Sequence, residues 1–378
     1  RFLSASFAPV LFNVFFILAL LLGIRFSEGE SNILLWLCAA VLLGGLMQLL
    51  LPSYDLYRQR TLRGCPFERI GARMEVLEEE LGTDDREAAF KSFWSLFVPS
   101  LLGAALMQIN ILVSRLLAHS LDDTSVSFLY VSSRLMELPL GIFTIAIITV
   151  FFPEMSRAFA EHSRSVFFQI AQRGMHCIML IVLPATLGLC LLSKEILMVL
   201  FQWGQFNSGD VHATAPIVII YALSLPFHSI ATFCVRCFYS AKAMHLPVRI
   251  ALVLLLLNTL LSLIFMTMWD VYGLATANLI TAIIHALMLL SATHKTFAIE
   301  LMRGLKPILK PILCGLIAIA IICVSGKFAL AHFNLSEKLS AIGAVSLLIP
   351  LSASSYFFIL HRLGIPNQRL WGLFKQSQ

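Results

Sequence analysis

The residues with the most chemical potential in this chain are an arginine and a glutamate three positions apart in an apolar segment, Tyr130-Val-Ser-Ser-Arg134-Leu-Met-Glu137-Leu-Pro139-Leu-Gly141. On a helix this spacing sets both on one face, where they partly neutralise each other. A charge near the centre of a bilayer costs roughly 2.5–3.5 kcal/mol on insertion scales, so it turns to a protein interior or a watery cavity rather than to lipid. Two uses fit the pair. It is a structural ion pair, or Arg134 lines a polar cavity and meets an anionic substrate.

Other chemistries find little support. The ten histidines form no HExxH motif, and there is no Walker loop, no GxSxG and no GxGxxG before a strand. Cys234-Val-Arg-Cys237 has CxxC spacing, but it ends an apolar segment without a second pair, so these cysteines read as small packing residues. A membrane transferase acting on a lipid phosphate needs acidic residues to hold magnesium, and Glu137 is the one acidic residue well inside an apolar span. The residues therefore predict no catalytic group, no metal and no cofactor, and a protein that is not an enzyme.

The elements that position the pair follow from composition. Hydrophobic residues make up 59% of the 378, charged residues 13%, and mean hydropathy is +0.87. Runs of about 20 apolar residues, enough to cross a bilayer core as a helix, recur along the chain. Ten are expected, at 7–24, 33–51, 93–117, 126–152, 168–192, 213–238, 248–268, 272–290, 308–324 and 342–360. The expected fold is an all-α, polytopic membrane protein. The net charge of +6 then concerns topology rather than nucleic acid. Segment 52–92 carries Arg58, Arg60, Arg63, Arg69, Arg73, Arg86 and Lys91, and alternate connections hold Arg157 and Arg164, Lys242, then Lys295, Arg303 and Lys306. By the positive-inside rule these lie in the cytoplasm, as do both ends of the chain. Arg115 and Arg173, near span ends, read as snorkelling anchors. Residues 192–206 read as an amphipathic helix at the outer interface, with Trp203 as anchor. Prolines at Pro9, Pro99, Pro139, Pro184 and Pro226 predict kinked helices. No cleavable signal peptide is visible, and the opening at Arg1 without a methionine suggests a fragment or processed product.

Several stretches together resemble one family. They include Ser6-Phe-Ala-Pro-Val-Leu-Phe-Asn13, Gln108-Ile-Asn-Ile-Leu-Val113, Arg134-Leu-Met-Glu-Leu-Pro-Leu-Gly-Ile-Phe143, Phe152-Pro-Glu-Met-Ser-Arg157, Leu200-Phe-Gln-Trp-Gly-Gln-Phe206, Arg236-Cys-Phe-Tyr239 and Pro247-Val-Arg-Ile-Ala251. In this order and spacing they are similar to the MurJ/MviN family of bacterial lipid II flippases, within the multidrug/oligosaccharidyl-lipid/polysaccharide exporter superfamily. The resemblance covers nearly the whole chain, and the Arg-Leu-Met-Glu-Leu-Pro-Leu-Gly motif is its most specific part.

The resemblance implies fourteen helices in two six-helix lobes around a central cavity, plus two helices that form a groove for the lipid tail. This chain would begin at the fifth helix, lacking the first four. Residues 1–51 would be the last two helices of the first lobe, 52–92 a basic cytoplasmic loop, 93–295 the second lobe, and 296–378 two C-terminal helices and a cytoplasmic tail. The implied activity is export of lipid II, the undecaprenyl-pyrophosphate-linked peptidoglycan precursor, across the bacterial inner membrane by alternating access. Lipid II and membrane lipids would be the partners, with no nucleic acid.

By the same resemblance Arg134 and Glu137 bind substrate, while Asn13, Ser133, Pro139 and Arg236 belong to the cavity or its gates. The chain departs from the family pattern at Ser133 and Ser114, where relatives carry an acidic or amide residue, at Trp203 for a basic residue, and at Ala243 and His245. Ion coupling is therefore not implied. The alternatives are an exporter of another polyprenyl-linked sugar or drug, or a truncated membrane scaffold that transports nothing.

Overall fold

In hydrocarbon the backbone must satisfy its own polar groups within each segment, which leaves the helix as the natural choice for long apolar runs. The computed structural model describes residues 3–26, 30–62, 83–298, 300–332 and 336–363, and every regular element among them is helical. The basic stretch with Arg63, Arg69 and Arg73, the neighbouring Cys65, the acidic residues Glu75 to Glu80, and the tail with Arg369 and Lys375 lie outside the described residues. The chain divides into two compact units, Arg1–Ser92 and Phe93–Gln378.

In the first unit, α1 (Leu3–Phe26) and α2 (Glu30–Leu62) form a hairpin. Phe12 lies against Gly44, and Ile33 and Trp36 lie beside Gly23, so the two helices run antiparallel. Their outer faces carry exposed Leu18, Leu21, Leu42 and Leu49.

The second unit takes up α3 (Thr83–His119) from Phe93 onward, followed by α4 (Asp123–Pro139), a π-turn (Leu140–Ile145), α5 (Ala146–Ala160), α6 (Arg164–Leu191) and the short α7 (Ser193–Phe201). Then come α8 (Ser208–Ser240), α9 (His245–Phe297), α10 (Lys306–His332), α11 (Glu337–Gly343), a second π-turn (Ala344–Leu348) and α12 (Ile349–Arg362). Local chemistry sets several starts. Asp122 caps α4 by accepting from the Ser125 N–H at 2.5 Å. Asn207 and Asp210 form a reciprocal capping box at α8. The expected interfacial helix after residue 192 is the short α7, with Leu197 and Met198 buried and Trp203 left exposed beyond its end.

Among the described residues eight helices are long and apolar enough to cross a membrane. The difference from ten has two sources. Val10–Phe26 counts as a shorter apolar helix, and the expected spans 248–268 and 272–290 fall within the 53 residues of α9. Run straight, 53 residues would reach about 80 Å, against a hydrocarbon core of about 30 Å. Instead the helix reverses at Trp269 (φ −137°, ψ 21°) and Asp270 (φ 48°, ψ −131°). The Thr281 hydroxyl donates to Asn258 Oδ1 at 3.2 Å across the two arms. At the fold Gly273 sits on the Phe265 carbonyl so closely that a Cβ has no room.

The core gathers around α6 and α8. Met155, Met175, Ile178, Phe233, Phe238 and Leu289 are fully buried in one cluster. α4 and α8 run parallel and in step, since Leu129 shares a cluster with Ile217, Ser224 Oγ approaches Met136 Sδ at 3.3 Å, and Thr144 and Ser229 hydroxyls bond at 2.9 Å. The Tyr356 hydroxyl ties α12 to α6 by donating to the Leu180 carbonyl at 2.7 Å. Away from the core, Val253, Leu256, Leu260 and Leu263 on α9, and Ile317, Ile321, Val324 and Phe328 on α10, are exposed at three- and four-residue spacing. These stripes suit a lipid surround.

Two outcomes follow from these joints. Gly273→Val is expected to push the arms of α9 apart, so the full-length protein should lose its cooperative melt and its monodisperse peak in detergent; wild-type behaviour would refute the close approach. At Asp122, bonds from the Ser125 N–H and the Thr124 hydroxyl hold the carboxyl below its usual range. A depressed folded pKa gives stability that is complete above the unfolded value of about 3.9 and lost as pH falls through the folded one. Asp122→Asn keeps the cap without titrating, so between pH 5 and 3 the wild-type melting temperature should fall more than the variant's. Asp122→Ala should cost about 1 kcal/mol at pH 7.

Candidate substrate-binding site

Arg134 and Glu137 lie in the last two turns of α4, and the guanidinium donates to the carboxylate at 2.6 Å. Their side chains are 51% and 45% exposed, so the pair faces outward from the second unit rather than into its core. The opposite face of the same turns, Leu135 and Met136, is buried against α8 and its neighbours. One helix thus separates apolar packing from a charged surface by the ordinary 3.6-residue period. One turn before Arg134, Tyr130 places its ring 5.0 Å from the guanidinium carbon. Helical side chains lean toward the N-terminus, which brings Arg134 over the residue four positions earlier.

Ser133 is half-buried, and its hydroxyl donates to the Tyr130 carbonyl at 2.9 Å. It adds no charge. Pro139 ends the regular part of α4, because its ring leaves the Leu135 carbonyl without the usual amide partner. The backbone relaxes into the π-turn Leu140–Ile145, where the sequence suggested only a kink. Pro139 and Phe143 also wall an apolar groove of about 300 Å³ completed by Pro184 and Gly188 of α6, Cys323 of α10 and Tyr356 of α12. Charged pair and groove wall are therefore successive turns of one segment.

Within the second unit, the sequence candidate Arg236 is not brought to this place. Arg236 is exposed near the end of α8, stacked 5.6 Å from the Tyr239 ring. Because α4 and α8 run in step, with Met136 beside Ser224, Arg236 lies roughly 20 Å further along the bundle than the Arg134 level. Asn13 is exposed on α1 of the first unit.

Sequence reading passed over two features. Arg115, taken as an interfacial anchor, has its guanidinium carbon 5.7 Å from the Tyr130 ring. A small cavity of about 80 Å³ between α3, α8 and α9 is lined by Asn110, His228, Asn278, Thr281 and His285. Beside it Asn258 donates to Asn110 Oδ1 at 2.8 Å, and His228 Nε2 lies 3.4 Å from Asn278 Oδ1. The signal was present, since amides and imidazoles inside apolar spans need partners in the protein.

The comparisons with known proteins agree in direction. A family model described as "Lipid II flippase MurJ" matches residues 1–341. "Probable lipid II flippase MurJ" of Bdellovibrio bacteriovorus is 30% identical over 311 residues, covering 82% of this chain and 56% of that protein. The protein of the same description from Helicobacter pylori (strain 26695) is 31% identical over 337 residues, covering 87% of this chain and 70% of its own length. The chain thus spans little more than half the length of the Bdellovibrio relative. A solved structure of lipid II flippase MurJ in an inward closed conformation shares the fold, with a TM-score of 0.66 at 22% identity over 96% of this chain and 67% of that one. With nine-tenths of its residues under the family model, and its specific motif carried on α4, the chain belongs to the MurJ lipid II flippase family.

Proposed function

We propose that the protein moves lipid II from the inner to the outer leaflet of the bacterial inner membrane, as a transporter rather than a catalyst. One observation carries the reading: the half-exposed Arg134–Glu137 pair stands on the same segment as the wall of an apolar groove. Lipid II joins a pyrophosphate to a long polyprenyl tail, and the segment offers a surface for each. Arg134 presents a planar fork of donors suited to phosphate oxygens. Glu137 holds that fork in the empty state and releases it when phosphate arrives. The groove between Pro139, α6, α10 and α12 takes the tail. In this reading the span from Phe93 to Lys295 is the second lobe, 1–51 closes the first, and both ends of the chain are cytoplasmic.

The drive is electrical. Outward passage of a pyrophosphate runs with a field that is negative inside, and at about 2.3 kcal/mol per charge per 100 mV two uncompensated charges gain roughly 4–5 kcal/mol. Alternating access then needs only that the binding surface be exposed to each side in turn.

In the full-length protein, Arg134→Ala is expected to abolish precursor export; normal growth of cells relying on that variant as their sole flippase would sink the assignment. Collapse of the membrane potential should slow export, and an unchanged rate under a verified collapse overturns the electrical drive. Gly188→Phe tests the groove, because a Cβ at Gly188 meets nothing within 4 Å and a side chain there fills the space. Lipid II export should drop about tenfold with little change in melting temperature. Undiminished export removes the tail from this groove.

A further inference from the structure

Arg115, read from the sequence as an interfacial anchor, has its guanidinium beside a tyrosine of the next helix. It sits one turn before the end of α3 at His119, and α4 begins again at Asp123, so the two helices share an end of the bundle. Side chains lean toward the N-terminus of their helix. Arg115 therefore leans away from that end, while Tyr130 on α4 leans toward it, and they meet with the guanidinium carbon 5.7 Å from the ring centroid. Arg134 comes to the same ring from the other direction at 5.0 Å. Two cations thus flank one exposed phenol.

Their charge is not balanced locally. Glu137 pairs with Arg134 at 2.6 Å, and among the described residues no carboxylate lies within ion-pair distance of Arg115. Ser133 spends its hydroxyl on the Tyr130 carbonyl and brings no charge. The group carries a surplus of one positive charge on a half-exposed surface within two membrane helices. Such a surplus is costly without an anion. Stacking on an aromatic face uses the flat side of a guanidinium and leaves its N–H edges free to donate. One edge of Arg134 is engaged by Glu137, whereas among the described residues no hydrogen bond or ion pair engages the edge of Arg115.

We propose that Arg115 and Arg134, spaced by Tyr130, form a two-cation subsite that bridges the two phosphoryl groups of a diphosphate. The inference rests on the reading of the protein as a carrier of a pyrophosphate-linked lipid, and adds to it a second cation that sets preference for diphosphate over monophosphate. Since both guanidinium carbons lie on one ring, at 5.0 and 5.7 Å, they stand no more than about 11 Å apart. A diphosphate with phosphorus atoms about 3 Å apart, each about 4 Å from a guanidinium carbon, spans up to about 11 Å. A monophosphate spans about 8 Å, so of the two ligands it is the diphosphate whose reach covers the whole of that range.

The test uses the full-length protein in nanodiscs of zwitterionic lipid, titrated with undecaprenyl diphosphate, undecaprenyl monophosphate and uncharged undecaprenol. Wild type should prefer diphosphate over monophosphate by about tenfold or more, and Arg115→Gln should bring the two within about twofold while undecaprenol binding is unchanged. A simple packing role for Arg115 would weaken all three ligands together. Retained preference in Arg115→Gln, with binding still lost in Arg134→Ala, overturns the two-cation subsite and leaves the proposed function standing. If wild type binds undecaprenol as tightly as the diphosphate, the proposed function fails and the subsite with it. Should Arg115→Gln not fold, Arg115→Lys decides, because it keeps the charge and loses the fork: preference should fall about threefold or more, and wild-type preference counts against the proposal.

Discussion

Everything in this molecule answers to the absence of water around its spans. A donor or acceptor inside hydrocarbon must find its partner within the protein, and the helices meet this demand largely within themselves. The hydroxyls of Thr149, Ser229, Thr232, Thr259, Thr276, Thr293, Ser325 and Ser346 each donate to the carbonyl four residues earlier. Other polar side chains bind their neighbours. Asn110 with Asn258, Thr144 with Ser229, Tyr356 with the Leu180 carbonyl, and Lys327 with Glu195 at 2.7 Å are among the cross-links between elements. Nonpolar packing alone would not fix the register of one helix on the next, since lipid is as apolar as leucine.

That register is what makes α4 useful. Locked to α8 through Leu129, Met136 and Thr144, the helix presents a defined outer face, and on it stand Tyr130, Arg134 and Glu137. Pro139 then breaks the regular ladder just as the segment reaches the groove. A single stretch thereby changes from charged to apolar chemistry within about two turns, the change on which the proposed lipid reading rests.

Much of this was legible in the chain. Hydropathy marked where the apolar helices run, though not their number or all of their ends, and the three-residue spacing of Arg134 and Glu137 announced their pairing, because both are properties of a single helix. What depends on a second helix was not legible. Arg115 looks like an interfacial anchor until Tyr130 is known to lie inside its reach. The break between 268 and 272 was visible, but not that two residues suffice to turn the chain, which requires the backbone contact at Gly273. Proline at 139 foretold a kink, whereas the backbone relaxes as a π-turn within which Thr144 meets Ser229. The partnered asparagines and histidines of the small cavity were individually conspicuous, yet their convergence comes from packing among α3, α8 and α9.

The reversal at Trp269 and Asp270 also bears on how the protein is made. With only two residues outside helical geometry, the arms of α9 have no slack to enter the membrane one after the other as independently placed spans. They are suited to insertion as a preformed hairpin whose apolar outer stripes meet lipid together, while Asn258 and Thr281 find each other before either is left in hydrocarbon alone. The tip carries a single carboxylate, Asp270. Placement of one arm is thereby tied to placement of the other.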